Sequence, residues 1–175
     1  MMGSVYHGIP RNLALVLRDK HGLKWFVETG SYLGITTAWA AENFTNVIAI
    51  EMDLRFFRKT QKACRGCDNV LLMKGDSGDV LGKALETVKG PALVWLDAHF
   101  SPHHKDGANP LLKEIQAINA DGRPHVILID DFRFFEDPPT DWPSVDEILV
   151  ALGSREIEVV EDVIMAEPIP IWRSR

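Results

Sequence analysis

Between residues 25 and 167 the chain alternates short apolar runs with helix-compatible stretches, which predicts an α/β domain: a mostly parallel sheet with helices on both faces. Two of the runs, Val-Ile-Ala-Ile at 47–50 and Val-Ile-Leu-Ile at 126–129, are apolar at every position, as expected of strands buried on both sides. A third regularity is that one run after another ends on an acid, so carboxylates collect along a single rim.

The elements follow in order. Residues 11–20 place Leu13, Val16 and Leu17 at helical spacing, with Gly22 as the C-cap of a leading helix. The first strand is 25–29, and the helix after it, 35–42, is rich in alanine and carries Trp39. Strand 46–51 comes next, then a basic helix from the N-cap Asp53 to about residue 63. A third strand spans 69–73, followed by Gly75-Asp76-Ser77-Gly78 and a helix over 79–88. The fourth strand is 92–97; past a polar loop rich in His and Gly come a helix at 110–119 and the fifth strand, 125–131. The loop 132–143 is aromatic and proline-rich, Ser144 caps a helix to about 152, and 156–160 with 163–167 closes the chain as a hairpin.

At 175 residues, with 46% hydrophobic and 25% charged, the chain reads as one soluble domain over 1–175, in which 1–24 is a leading helix and a lid candidate. A net charge of -6 argues against nucleic acid as the main partner and favours a small molecule. The first seven residues lack the pattern of a signal peptide, and no apolar stretch is long enough to span a membrane, so a cytoplasmic protein is expected; a homodimer is one assembly open to it. Cys64 and Cys67 form a C-x-x-C without a second pair for zinc, and they close a helix where a redox site would open one; plain packing and turn structure are expected.

Glu28, Glu51, Asp76, Asp97, Asp130 and Asp131 all fall at or just past strand ends, where ligands bind in open α/β sheets. Glu51 lies about 20 residues beyond a Gly-rich turn, the position from which an acid accepts hydrogen bonds from ribose hydroxyls. The turn itself is Gly30-Ser-Tyr-Leu-Gly34, with Tyr32 where close approach of a pyrophosphate needs glycine. A dinucleotide is disfavoured on that ground.

With these residues the sequence resembles the class I S-adenosylmethionine-dependent methyltransferases. Glu28-Thr-Gly-Ser-Tyr-Leu-Gly34 matches their first motif, Glu51 the ribose acid, Gly75-Asp76-Ser77 the acid near adenine, and Asp97 in Leu96-Asp97-Ala-His99 the fourth-strand acid. The missing middle glycine departs from the commonest pattern. The resemblance implies a three-layer Rossmann-like fold, a seven-stranded sheet with an antiparallel last strand, and S-adenosylmethionine as cofactor. It also implies cofactor contacts from Glu28, Thr29, Gly30, Ser31, Tyr32, Gly34, Thr36, Thr37, Glu51, Met52, Asp76, Ser77 and Asp97.

A narrower resemblance is to the metal-dependent O-methyltransferases of the catechol and macrocin type, in which an acid ending the fourth strand and an acidic pair ending the fifth hold a divalent cation. Here Asp97 and Asp130-Asp131 match, and carboxylates on neighbouring strand ends can converge on one hard cation such as Mg2+. The alternative is that Asp130 or Asp131 caps a turn and Asp97 stabilises its loop. His99 could act as general base beside Asp97, line the cofactor site or fill the loop; His103 and His104 sit in a stretch that reads as solvent-exposed. The expected reaction is methyl transfer to a hydroxyl of a sugar, phenol or natural product, with Phe132, Phe134, Phe135 and Trp142 as an acceptor wall or as loop packing. Two rivals stand beside it: a cofactor-binding interaction module without catalysis, and a nicotinamide-linked oxidoreductase.

Overall fold

The computed structural model describes residues 8–98 and 109–169. The chain runs α1 (Arg11–His21), β1 (Trp25–Thr29), α2 (Ile35–Asn43), β2 (Asn46–Glu51), α3 (Leu54–Ala63), β3 (Val70–Lys74), α4 (Ser77–Glu86) and β4 (Ala92–Leu96). It continues through α5 (Leu111–Asp121), β5 (Val126–Ile129), a single turn α6 (Arg133–Glu136), α7 (Val145–Leu152), β6 (Arg155–Val160) and β7 (Val163–Pro168).

The strands form one seven-stranded sheet in the order β3-β2-β1-β4-β5-β7-β6. β1 to β5 are parallel neighbours, whereas β7 enters antiparallel between β5 and β6. Side chains alternate across this sheet with period two. Val27, Ile48, Ile50, Val94, Leu96, Ile127 and Ile129 pack under α4, α5 and α7, while Phe26, Val47, Leu93, Trp95, Val126 and Leu128 pack under α1 and α2. Both faces are therefore core, which is why β4 and β5 are apolar throughout. Among the described residues no helix is long and apolar enough to cross a membrane.

Most expected elements lie within two residues of their observed bounds. The helix expected from residue 79 starts at Ser77, because the Asp76 carboxylate accepts from the Gly78 N–H at 2.9 Å and so caps the helix two residues early. Ser144 caps α7 through a reciprocal box with Glu147. The segment after β5, expected to be loop throughout, contains α6; Phe135 from that turn is 1% exposed and belongs to the core. Cys64 is buried as the C-cap of α3, and the Cys67 N–H donates to the Cys64 carbonyl, so the pair forms the expected turn.

Candidate active site at the carboxyl rim

The strand order reverses at β1, which has β2 on one side and β4 on the other, and this opens a crevice beyond the carboxyl ends of β1 and β4. The glycine turn fills its floor. Gly30 has φ +75°, and a Cβ there would stand 2.3 Å from the Asp97 carbonyl oxygen, so only glycine lets the turn press against the end of β4. Gly34, also at φ +75°, makes a comparable approach to α3, where a Cβ would meet the Thr60 Cα at 2.8 Å. Between them Tyr32 adopts φ +48° and leaves its ring exposed against Phe56, centroids 4.4 Å apart.

The amides of this turn are used within the protein. Gly30 and Ser31 donate to the Ile50 carbonyl, Gly34 to the Ser31 carbonyl, and Tyr32 to Oε2 of Glu51 at 2.9 Å. A phosphate-binding turn offers such amides to the ligand; here Gly30, Ser31 and Tyr32 donate to β2 and Gly34 to the turn itself, an arrangement that disfavours a pyrophosphate.

Glu51 is the fastening point. Its Oε1 accepts from the Asp53 N–H at 2.8 Å and its Oε2 from Tyr32, and each carboxylate oxygen retains a second acceptor position. Met52 beside it is exposed. On the next strand end Asp76 is exposed and Ser77 buried, the Asp76 carboxylate being shared with its capping role.

Glu28 is 2% exposed and lies beneath the turn, where it accepts a 2.5 Å hydrogen bond from the Thr37 hydroxyl at the start of α2. Burial pushes its pKa up to about 8, against the opposing Thr37 bond and reinforced by the charge of Glu51. Thr36 is buried near it on the same first helical turn. Ser31, also buried, bonds Thr60 across to α3 at 2.8 Å.

Three carboxylates converge on the other side of the crevice. One oxygen each from Asp97, Asp130 and Asp131 lies within 4.8 Å of the others. Backbone contacts set this spacing: the Asp97 N–H donates to Thr29 Oγ1 at 3.3 Å, and the Asp130 N–H to the Leu96 carbonyl at 3.1 Å. Asp131, at φ +61°, donates its own N–H to Asp130 Oδ1 at 2.8 Å, so the acidic pair is folded back on itself. Desolvation raises the pKa of Asp97 well above its ordinary value, with further repulsion from Asp130, Asp131 and Glu28. Asp130 is likewise raised to about 7 by desolvation and by Asp131. Such a set of crowded, desolvated acids is stabilised by a cation placed among them.

The residues singled out from the sequence thus fall into two groups at one rim, the Gly30–Glu51–Asp76 side and the Asp97–Asp130–Asp131 side. His99, His103 and His104 lie outside the described residues. In the candidate wall, Phe134 and Trp142 meet edge to face at 5.8 Å and Phe135 packs on Trp142 at 5.5 Å, so much of this aromatic set holds its own loop down. Three further contributors come only from the structure. Trp95 is fully buried, and its indole N–H approaches Asp97 without completing a hydrogen bond, acting against the rise in that acid's pKa. Arg133 stands against Asp131 from outside the acidic cluster and is itself paired with Asp162 on its other side. Nothing in their sequence context marks them, since each stands in a turn whose partner is 29 residues away.

The sheet order, the glycine turn at the switch point and the acids on successive strand ends define a class: this is the fold of the class I S-adenosylmethionine-dependent methyltransferases. Among solved structures, the chain is similar to an O-methyltransferase from Bacillus cereus in complex with SAH, with 18% identity and a TM-score of 0.69 over 94% of this chain and 83% of that one. It is also similar to TomG from Streptomyces achromogenes, an O-methyltransferase of tomaymycin synthesis in complex with SAM, with 16% identity and a TM-score of 0.67 over 89% and 78%. A third likeness is to an rRNA methylase from Streptococcus thermophilus, with 15% identity and a TM-score of 0.58 over 95% and 100%. No protein-family model matches the chain, and no curated protein does. At these identities the likeness defines the fold, and the reaction has to be argued from the site.

Proposed function

We propose that the protein transfers a methyl group from S-adenosylmethionine to a hydroxyl of a small molecule, with a divalent cation, Mg2+ in the first instance, held at Asp97, Asp130 and Asp131. The observation that carries this reading is the convergence of those three carboxylates within 4.8 Å, at the rim against which the Gly30 turn is pressed. An all-oxygen, anionic donor set suits a hard cation and is a poor match to metals that favour nitrogen or sulfur. The bound cation would supply Lewis acidity, lowering the pKa of an acceptor hydroxyl and fixing its approach.

The chain's own residues do the rest. Glu51 accepts hydrogen bonds from the ribose hydroxyls with the acceptor positions its two backbone bonds leave open, and Asp76, Ser77 and Met52 border the adenine. The turn from Thr29 to Gly34, backed by Thr36 and Thr37, faces the amino-acid end of the cofactor. The acceptor oxygen attacks the methyl carbon in line; the carbon–sulfur bond breaks with its electron pair going to sulfur, and the hydroxyl proton passes to Asp97 or His99. A net charge of -6 supports a small acceptor over a nucleic acid.

The test is a thermal-shift series with S-adenosylmethionine, S-adenosylhomocysteine and the nicotinamide dinucleotides, each with and without Mg2+, followed by labelled methyl transfer to a panel of hydroxylated acceptors. Stabilisation by the two adenosyl compounds is expected. A nicotinamide dinucleotide stabilising the protein alone would sink the reading, and tight adenosyl binding with no transfer across the panel would favour an interaction module.

A further inference from the structure

Asp131 is the member of the acidic cluster with an arginine against it. Arg133 Nη2 stands 2.6 Å from Asp131 Oδ1, and the other arm of the guanidinium, Nη1, pairs with Oδ2 of Asp162 in the β6–β7 turn. The same turn grips the backbone of the loop: the Arg133 N–H donates to Asp162 Oδ1 at 3.0 Å, and the Phe132 N–H donates to the Asp162 carbonyl at 2.9 Å. Asp162 is 6% exposed, a buried acid whose two side-chain oxygens both serve this one arginine. The guanidinium is further seated over the Phe134 ring, 4.4 Å from its centroid. The ion pairs and the ring place the guanidinium beside Asp131, and the backbone amide anchors the loop that carries it, although the side chain remains 39% exposed.

From this geometry, and resting on the cation reading above, we propose that Arg133 is a built-in counter-cation of the metal site, held by Asp162, which occupies one oxygen of Asp131 and thereby limits how tightly a divalent cation is bound. Arg133 never ionises away, so this competition is present at every pH. With Asp131 Oδ1 taken, the chain offers the cation fewer free carboxylate oxygens than three aspartates imply, and the remaining donors come from water and the acceptor. Asp162 is then a positioning residue: it shares the arginine's charge with Asp131 and sets its reach.

The two residues give opposite signs when changed. Mn2+ serves as probe, titrated against the cofactor-free protein, with free Mn2+ read by electron paramagnetic resonance and heats by calorimetry. Arg133→Gln removes a fixed positive charge from beside a carboxylate ligand and is expected to tighten Mn2+ binding roughly tenfold. Asp162→Asn leaves the full guanidinium charge to Asp131 and is expected to weaken binding several-fold, about 3-fold or more. Arg133→Lys keeps the charge but loses the two-armed fork and the ring seat, and should fall between wild type and Arg133→Gln. A purely structural role for Arg133 would predict the reverse for Arg133→Gln, because a loosened loop binds less well.

Wild type that binds Mn2+ together with a folded Arg133→Gln that binds equally or more weakly overturns the counter-cation proposal and leaves the cation reading standing. Absence of Mn2+ binding in wild type and Arg133→Gln alike overturns both. Should Arg133→Gln fail to fold, Asp162→Asn decides: unchanged or tighter binding there overturns the proposal.

Discussion

Glu28 is an acid whose position is plain in the sequence and whose work is not. It ends an apolar run before the glycine turn, but only the structure shows it sealed beneath that turn with Thr37 as its partner. Its pKa rises from 4.5 to about 8, so between those values the folded chain keeps a proton that the unfolded chain has lost. Stability then falls as pH rises through that window, by about 1.4 kcal/mol for each pH unit crossed, and levels off above it. Glu28→Gln removes this dependence: in urea melts its midpoint should exceed that of wild type at pH 8 and approach it near pH 4. At the opposite side of the crevice, Asp97→Asn should weaken Mg2+ or Mn2+ binding by about tenfold or more while leaving the fold intact, since it withdraws one of the three carboxylates of the proposed site. Unchanged affinity in a cation titration would remove Asp97 from the site.

Among the elements, the turn from β1 to α2 is the least tolerant of change. Gly30→Ala would have to adopt φ +75° and push a methyl into the Asp97 carbonyl, so it should abolish stabilisation by S-adenosylmethionine in a thermal shift and cost several kcal/mol, roughly 2–4. The capping residues are milder. Ser144→Ala removes the box that starts α7 and should lower stability by about 1 kcal/mol, measured by chemical denaturation, with no effect on cofactor binding. These local features are legible in the sequence: Asp53 and Ser144 cap where their spacing places them, and the strands β1 and β2 match their apolar runs residue for residue. Where an element departs from its expected bounds, a neighbour outranks the local pattern. Asp76 stands where a ligand residue is expected, and its capping bond to Gly78 draws α4 two residues forward. α6, at four residues, is too short for periodicity to register and is held by contacts with the β6–β7 turn.

For the whole molecule, the crowding of Glu28, Asp97 and Asp130 makes the cofactor-free protein a store of unfavourable charge. Their raised pKa values act in the same direction, so global stability without divalent cation should decline from about pH 5 to pH 8. Saturating Mg2+ should reduce that decline by offsetting the repulsion among the aspartates, and equal slopes with and without Mg2+ in thermal melts would count against cation binding.

Composition and short-range pattern are enough for the α/β class, the alternation of elements, the glycine turn and the acids on the rim. Those are written in contiguous residues: apolar runs of strand length, caps one turn from the residues they cap, and glycines flanking a turn. The entry of β7 between β5 and β6, the burial of Glu28, the approach of Gly30 to Asp97 and the pairing of Arg133 with Asp162 come only with the folded chain. Each depends on groups far apart in sequence meeting across the sheet, where burial and neighbouring charge, rather than residue type, fix what a carboxylate does.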